Sequence, residues 1–508
     1  MRIPPLNIPA GAGSPFSPPR SQIKPVFAPP RIHKAKEHKT IKRSAFTIPN
    51  IALNILLISA LFGINKLGML GNIICMICLV VMAVRSVAGA LKAMAILGLV
   101  IMGNPFIVEK TMVFTIFRFP LFALAGGRIL YEMLQQGRGL FRELHLNALL
   151  AFGLVCVVLA PLSGYFVMVS VLKAVLFTFG AYAILVGTDL NRTKMSDLTV
   201  FFTAAAIFVV AGSYATIPLG ISHIIGLADT GYARVGAGIA GITSHQQSLG
   251  MFLAMIAIFT FSIAIFAKIP HRWLFVVIFI GTLPLSYMTL SRTSVGTLIL
   301  SLLMVMVVAP FIVRRQKAMF NRFRPLPWLA AGCALFVALF TYDMATGGSI
   351  SERALDFALK GMAGRVQHVQ LEDFASSRML IIQRSWDIFL ANPWTGINFG
   401  TSLDPFFVEN ATFLTAPTEK GFLPTAILEE VGIIGTLFFV AFIFLVFRKL
   451  YLDENIIGFG VFSGFLIVNM GEMMFFSFGG GGLFCWSIVG ASIAVGYRHQ
   501  FIRRQASF

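Results

Sequence analysis

Long apolar runs recur along almost the whole chain, and charged residues fall mainly in the short segments between them. Each run has about 20 residues, which as a helix with a rise of about 1.5 Å per residue crosses the ~30 Å hydrocarbon layer of a bilayer. The runs are continuous and do not alternate with polar residues, so a transmembrane β-barrel is excluded. The pattern predicts an all-α polytopic integral membrane protein.

The spacing of the runs predicts about 14 transmembrane helices. They lie near residues 45–64, 67–84, 88–108, 112–133, 145–162, 166–187, 197–219, 245–267, 272–290, 294–313, 326–344, 422–447, 455–473 and 477–497. Arginines and lysines cluster on alternate connecting loops, on the same side as the basic N-terminal and C-terminal tails. Because cytoplasmic loops collect Lys and Arg, we expect both termini in the cytoplasm.

The predicted spans divide the chain into five regions. Residues 1–44 form a proline-rich, basic cytoplasmic tail whose composition is typical of disorder. Membrane helices 1–11 occupy 45–344, an extracytoplasmic loop with an amphipathic helix occupies 345–421, membrane helices 12–14 occupy 422–497, and a second cytoplasmic tail occupies 498–508. We expect the N-terminal tail to orient the chain and to attract anionic headgroups. A regulatory or partner-binding role for this tail is an open alternative.

The predicted extracytoplasmic loop contains a helix of a different kind. Residues 374–391 carry apolar groups at helical spacing among polar ones. This helix should end before Asn392-Pro393, because proline disfavours a helical conformation in the residue ahead of it. Gly396 then allows the chain to turn. The segment therefore predicts an amphipathic helix that lies over the membrane spans.

Composition and cysteine placement narrow the expected partners. Of the 508 residues only 12% are charged, whereas soluble domains have about 25%. The net charge of +19 follows from basic cytoplasmic loops, so nucleic acid is not an expected partner. Cys75 and Cys78 form a C-x-x-C pair inside an apolar run, without a nearby histidine or second pair. We interpret them as buried apolar residues instead of redox or metal ligands, and expect no metal or cofactor.

Four sequence motifs follow one another in the second half of the chain. They are the stretch from Arg234 through His245 to Gly250, the stretch Thr289-Leu-Ser-Arg292-Thr-Ser, the stretch from Ser377-Arg378 through Trp386 to Asn392-Pro393 and Gly396, and the stretch Leu428-Glu-Glu430-Val-Gly432-Ile-Ile-Gly435. In this order, around one long outer loop, they resemble the motifs of the O-antigen ligase and O-antigen or exopolysaccharide polymerase superfamily. The resemblance covers residues 230–440, and the earlier spans share only their apolar character with that family.

This resemblance implies a metal-independent glycosyltransferase in the bacterial inner membrane. Members of the superfamily move a glycan from a polyprenyl pyrophosphate carrier onto a sugar hydroxyl at the outer face of the membrane. The implied partners are the lipid-linked glycan, membrane lipids and other polysaccharide-assembly proteins. By the resemblance, Arg292 and Arg234 stabilise the departing pyrophosphate as catalytic residues, and Arg378 and Arg365 bind substrate. Arginine suits these roles because it stays charged and binds phosphate through paired hydrogen bonds. The alternative is that these arginines are ordinary charges flanking the bilayer.

The general base is the point at which this chain departs from the family. Ligases of the family have a histidine near the end of the long loop, where this chain has Pro417-Thr-Glu419-Lys420. Glu419 is therefore the candidate base, since desolvation near a bilayer edge raises a carboxyl pKa. A solvated loop charge is the alternative interpretation of Glu419. His245 is the nearest alternative base and a candidate for the substrate site, and a hydrogen-bonded histidine at a helix start is its other interpretation. Glu472 lies near the outer end of a predicted span, where carboxylates are rare, and could pair with Arg234 or Arg292.

Other functional classes remain open at this point. A lipid-glycan flippase or transporter would also have many spans, but the chain has no repeated halves, and its charges cluster at one face instead of the midplane. A non-enzymatic scaffold or sensor is favoured only by the basic tail. The missing loop histidine and the number of spans favour a polymerase over a ligase. We expect a membrane glycosyltransferase that polymerises polyprenyl-pyrophosphate-linked oligosaccharide repeats, with ligase-type transfer to an acceptor as the alternative.

Overall fold

Helices make up most of the computed structural model, which describes residues 46–141, 143–191, 195–222, 238–267, 269, 271–313, 341, 371–403 and 421–506. The helices are α1 (Ile48–Gly63), α2 (Gly68–Arg85), α3 (Val87–Ile101), α4 (Met112–Gln135), α5 (Leu144–Ser163), α6 (Val167–Leu190), α7 (Met195–Thr216), α8 (Gln246–Phe266), α9 (Arg272–Met288), α10 (Arg292–Val313), α11 (Leu371–Ala391), α12 (Leu423–Leu452), α13 (Ile456–Val468) and α14 (Gly481–Ala506). A short 3₁₀ turn, Ile64–Leu67, joins α1 to α2. Within these described ranges there is no β-strand, only an isolated bridge between Gly103 and Thr243.

Every predicted span except one coincides with a helix. The exception is 326–344, of which only residue 341 is described; the predicted tail 1–44 and loop residues 345–370 and 404–420 also lie outside the described residues. The amphipathic helix predicted at 374–391 is α11, which ends at Ala391 ahead of Asn392-Pro393. Some helices are shorter than predicted: α3 ends at Ile101, not 108, and α13 ends at Val468, not 473.

Asparagine side chains explain where α3 and α13 end. Asn104 Oδ1 accepts from the Phe106 N–H, and its Nδ2 donates to the Gly241 carbonyl at 2.7 Å. Asn469 Oδ1 accepts from the N–H groups of Met474 and Phe475, each at 2.7 Å. Both side chains offer the backbone a partner outside the helical pattern, which favours a turn over another helical residue.

The helices have the length and surface of membrane helices. Among the described residues, eight helical segments are long and apolar enough to cross a bilayer, by length and composition: Ile48–Arg85, Phe114–Gln135, Leu144–Ser163, Val167–Leu190, Asp197–Thr216, Gln246–Phe266, Arg292–Ala309 and Leu423–Leu452. Four apolar helices are shorter: Val87–Ile101, Arg272–Met288, Ile456–Val468 and Gly481–Val495. Large apolar side chains such as Leu53, Leu56, Leu437 and Phe444 are exposed on the outside of the bundle, an arrangement unfavourable in water and suited to lipid. The described chain therefore has the architecture of a polytopic α-helical membrane protein.

Helix α8 lies at the centre of the bundle. In its apolar window 89% of the residues are buried, against 33% in the window of Phe114–Gln135. A helix that is apolar on all sides, as α8 is, belongs in the interior. It packs against α9, α10 and α13. Gly464 on α13 fits against Ile258 of α8 and Ser301 of α10, so a small residue allows the three helices to approach closely.

The connecting segments gather at two ends of the bundle. We call the first the loop end, and it comprises residues 102–111, 163–166, 217–222, 238–245, 289–291, 392–403 and 469–480. Hydrogen bonds between these segments, such as Ser244 N–H to Met102 O at 2.7 Å, hold them together. We call the other the opposite end, and it comprises Ser86, residues 136–141, Glu143, Asn191, Ala267, His271 and residues 453–455. Successive helices run alternately between the two ends wherever the chain is described without a gap.

Candidate functional site

Two of the family-like motifs meet at the loop end. The Ile239 N–H donates to the Met288 carbonyl at 3.0 Å, and Gly238 lies against the carbonyl of Thr289. Farther along, Gly250 packs against Ser291, where an added Cβ would lie 2.8 Å from the serine Cβ. The segment that follows Arg234 in sequence is thus packed on the turn that leads into Arg292.

His245 ends this segment and caps helix α8. Its Nδ1 accepts a hydrogen bond from the Gln247 N–H at 3.2 Å, and its own carbonyl accepts from the Thr243 hydroxyl. An imidazole whose Nδ1 accepts carries its proton on Nε2 when neutral. The remaining ring nitrogen is therefore a donor, so His245 in this arrangement can hold an acceptor oxygen of a ligand but does not offer a free base.

A tight turn sets the position of Arg292. Leu290 has a positive φ of 53°, and the Ser291 and Ser294 hydroxyls are 2.7 Å apart. The Thr289 hydroxyl caps the end of α9 by donating to the Ser286 carbonyl at 2.8 Å. Arg292 is the first residue of α10 and is half-buried. Its backbone is thus fixed at the loop end by the buried serines and threonine on either side of it.

The other two motifs form a break in helix α12 and the segment that fills it. At Gly432 the backbone has φ 60° and ψ −166°, so the helix is interrupted there. The carbonyls of Glu429 and Glu430 accept from Ile397 and Asn398, each at 2.9 Å. On the other side of the break, the Ile433 N–H donates to Pro393 O at 2.8 Å. The segment 393–398 therefore satisfies the backbone groups that the interrupted helix leaves open, as a membrane interior requires.

Two buried carboxylates reinforce this junction. Glu429 accepts a hydrogen bond from the Ser385 hydroxyl of α11, and Glu430 accepts from the Gly400 N–H at 2.7 Å. The Gly400 carbonyl in turn accepts from Lys173 Nζ of α6 at 2.6 Å. Asn398 joins the same junction to the turn after α5 by donating to the Tyr165 carbonyl. The junction is thus anchored to α5, α6, α11 and α12 at once.

The turn 469–480 lies between the two pairs of motifs. The Leu423 N–H donates to the Asn469 carbonyl at 3.0 Å, which ties the turn to the start of α12. Phe476 packs on Phe399 with ring centroids 4.9 Å apart. On its other side, a Cβ added at Gly480 would lie 3.8 Å from Met102 Sδ. The turn thus contacts one pair of motifs directly and also contacts Met102, whose carbonyl accepts from Ser244 of the other pair.

The predicted site residues divide into three groups. Arg292, His245 and Glu472 lie at the loop end, with Glu472 half-buried in the turn 469–480. Arg378 lies on helix α11. Arg234, Arg365 and Glu419 lie outside the described residues. The structure therefore brings together the segments that carry Arg292, His245 and Glu472, and leaves the proposed roles of all seven residues as predictions.

Two cations at the loop end were not selected from the sequence. Arg118, on α4, donates through Nη1 to the Gly479 carbonyl at 3.1 Å. Lys110 precedes the same helix, and desolvation together with the positive charge of Arg118 lowers its pKa to about 8. A charge inside the apolar run 112–133 is itself an unusual feature, and that signal could have identified Arg118.

The opposite end carries ion pairs and a cavity of its own. Arg138 pairs with Asp189 at 2.7 Å, and Lys449 pairs with Glu143 at 2.7 Å and with Asp453 at 3.3 Å. A cavity of about 170 Å³ lies between these groups. It is at the far end of the bundle from His245 and Arg292, so it is not part of the site that the motifs predict. Its carboxylates already neutralise its cations, which makes it a poor site for an anionic ligand.

Metal ligands and known relatives do not add to this description. No group of three or more His, Cys, Asp or Glu residues that could hold a metal ion occurs among the described residues. No model of a known protein family matches the chain, and no curated protein matches it either.

Proposed function

We propose that the protein is a membrane glycosyltransferase that polymerises oligosaccharide repeats carried on polyprenyl pyrophosphate, at the outer face of a bacterial inner membrane. The observation that carries the proposal is the meeting of the motif segments at one end of the bundle. The segment after Arg234 packs on the turn before Arg292, and the α11 segment fills the break in α12. Residues separated by more than a hundred positions in sequence thus converge on one surface.

The distribution of basic residues supports an orientation in which the opposite end faces the cytoplasm. Several basic side chains lie at the opposite end, among them Arg85, Arg272 and Lys449 in the first or last turn of a helix and Arg138 in the loop after α4. Loops rich in Lys and Arg stay in the cytoplasm. The loop end then faces outward, where lipid-linked glycans are joined. In this orientation the proposed protein has about 14 spans, of which 326–344 would carry the chain from the end of α10 to the loop end.

The proposed reaction is a displacement at the sugar carbon bonded to the carrier. A hydroxyl oxygen of the acceptor glycan forms a new bond to the anomeric carbon, while the bond from that carbon to the pyrophosphate oxygen breaks. The electron pair of the broken bond leaves with the pyrophosphate, and Arg292 and Arg234 stabilise the added negative charge. The hydroxyl proton passes to a base, for which Glu419 is the candidate. His245 contributes as a hydrogen-bond donor because its Nδ1 already caps α8.

Substitution of Arg292 tests this proposal, and the chain provides a matched control. Arg272 is the first residue of α9, as Arg292 is of α10, but it lies at the opposite end and is exposed. In a strain deleted for the gene, we expect wild type and Arg272→Ala to restore long glycan chains. Arg292→Ala should lower polymer formation by roughly 10²-fold or more at equal protein level, since losing a group that stabilises developing charge costs about that much.

The glycan profile separates the outcomes. Single repeat units that accumulate on the carrier in the Arg292→Ala strain support a polymerase. Full-length chains that remain on the carrier support the ligase alternative. Full polymer in the Arg292→Ala strain rejects the role of Arg292, and an unchanged profile in the deletion strain itself rejects glycan transfer as the function.

A further inference from the structure

Arg118 lies in the bundle, and no carboxylate of the described residues is its partner. It is in the second turn of α4, about 9 Å from the start of that helix at a rise of 1.5 Å per residue. One nitrogen, Nη1, donates to the Gly479 carbonyl, and the guanidinium carbon lies 4.7 Å from the centroid of the Phe119 ring. Its Nε is buried and makes no hydrogen bond. Across the described residues, no Asp or Glu forms an ion pair with this side chain.

Lys110 adds a second positive charge close to Arg118. The two cations affect each other electrostatically. The neighbouring carboxylate, Glu109, is directed elsewhere: its Oε1 would be 3.4 Å from a Cβ added at Gly68. In the described part of the chain, Lys110 also forms no ion pair. No carboxylate of the described residues therefore pairs with either cation. At a bilayer edge, an unpaired cation is costly unless an anion or water approaches it.

The surroundings of Arg118 are apolar and reach the outer surface of the bundle. A narrow cleft beside it is lined by Phe119, Phe122, Leu176 and Phe478. On α4 itself, Ile116 is 46% exposed and Phe117 is 55% exposed. A Cβ added at Gly479 would meet no atom within 4 Å, so there is open space beside the carbonyl that Arg118 holds. A ligand bound here would contact the two cations at one end and apolar side chains along the rest of its length.

We propose that Arg118 and Lys110 bind the phosphate of a membrane lipid, whose hydrocarbon chain lies along the α4 surface beside Phe117 and Phe119. Arginine binds phosphate oxygens through five N–H groups in fixed positions. In Arg118, one Nη1 hydrogen is bonded to the Gly479 carbonyl and the Nε–H is buried, so three N–H groups remain for a ligand. A soluble anion would gain nothing from the apolar cleft. The lipid is either a glycerophospholipid of the outer leaflet or the polyprenyl phosphate carrier, and only the second source rests on the proposed function.

Lipid binding by the full-length purified protein tests this site. The protein in detergent is mixed with phosphatidylglycerol, with a polyprenyl monophosphate, or with diacylglycerol, which lacks phosphate, and bound lipid is counted by native mass spectrometry. We expect Arg118→Gln to lower retention of the phosphate lipids by about tenfold or more, because it removes a charge-assisted hydrogen bond. Gly479→Leu should also lower retention, by filling the open space without a change of charge. Diacylglycerol should bind equally to all variants.

The control is Arg85→Gln, which removes an arginine from the last turn of α2 at the opposite end. Equal retention of phosphate lipids by wild type and Arg118→Gln overturns the proposal, and so does an equal loss in Arg85→Gln. Preference for the polyprenyl probe assigns the site to the carrier, and preference for phosphatidylglycerol assigns it to a structural lipid. If Arg118→Gln loses phosphate lipid but the protein proves to form no glycan polymer, the lipid-site proposal stands and only the proposed function is rejected.

Discussion

Gly432 faces the backbone of Trp394 and Thr395 so closely that there is no room for a side chain between them. A Cβ added at Gly432 would lie 2.6 Å from the Thr395 nitrogen. Gly396 lies on the other side of the same junction, in the segment after α11. A Cβ added there would lie 2.5 Å from the carbonyl carbon of Glu430. Both glycines also have a positive φ. The break in α12 and the segment after α11 therefore fit together only because each contributes a glycine.

Replacement of Gly432 by alanine should destabilise the protein. The residue combines a backbone conformation that costs a residue with a Cβ about 1–3 kcal/mol with a clash against Thr395. We expect a lower melting temperature in detergent and less polymer in cells. Gly296→Ala is the control, because its added Cβ meets nothing within 4 Å and its helix α10 is regular. Equal melting temperatures for the two variants would contradict the described junction.

His245 offers a test that separates stability from chemistry. His245→Ala removes the cap of α8, a change that costs about 0.5–2 kcal/mol at a helix start. His245→Asn keeps a side-chain acceptor and should restore the melting temperature to near that of wild type. If Asn destabilises as much as Ala does, the capping role is wrong. Polymer yield that stays low in His245→Asn, despite the restored melting temperature, assigns the donor Nε2 to the substrate.

The proposed orientation predicts which residues a membrane-impermeant thiol reagent reaches. Tyr165 is 46% exposed at the loop end, and Leu140 is 40% exposed at the opposite end. Tyr165→Cys should react in intact cells, whereas Leu140→Cys should react only after the membrane is opened. The wild-type chain gives the background, because among the described cysteines Cys75, Cys156 and Cys485 are buried and Cys78 is half-buried. Labelling in the reverse order would place the loop end in the cytoplasm and remove the basis for outer-face chemistry.

The charge on Lys110 should make phosphatidylglycerol binding depend on pH. Because its pKa is lowered to about 8, Lys110 is protonated below that pH and neutral above it. Arg118 on α4 is the cation that acts on it, and Glu109, next to it in the chain, is directed toward Gly68. Retention should fall as pH rises from about 7 to 9, with the midpoint moved upward by the bound phosphate.

Lys110→Arg is the matched variant for this measurement. A guanidinium stays charged across the range, so retention by Lys110→Arg should be independent of pH. Phosphatidylglycerol is the suitable probe because its phosphodiester does not titrate there. A wild-type profile as flat as that of Lys110→Arg would show that Lys110 does not contact the phosphate.

The sequence by itself determined the helical architecture. Apolar runs of membrane length can satisfy their backbone only as helices in lipid, so the segments at 145–162 and 245–267 predicted α5 and α8 to within a few residues. The helix over 374–391 followed from its apolar spacing and from Asn392-Pro393. These features depend on neighbours in sequence, which is why a one-dimensional pattern was enough.

Only the tertiary structure decided how those helices are interrupted and what lies between them. Nothing in the apolar pattern of 422–447 shows that the helix breaks at Gly432, because the break is stabilised by hydrogen bonds from residues 393–398, distant in sequence. Likewise, the sequence shows a charge at Arg118 but not that the Gly479 carbonyl and an open apolar cleft lie beside it. Contacts between distant segments depend on the packing of the whole bundle, and a local pattern of polarity does not contain that information.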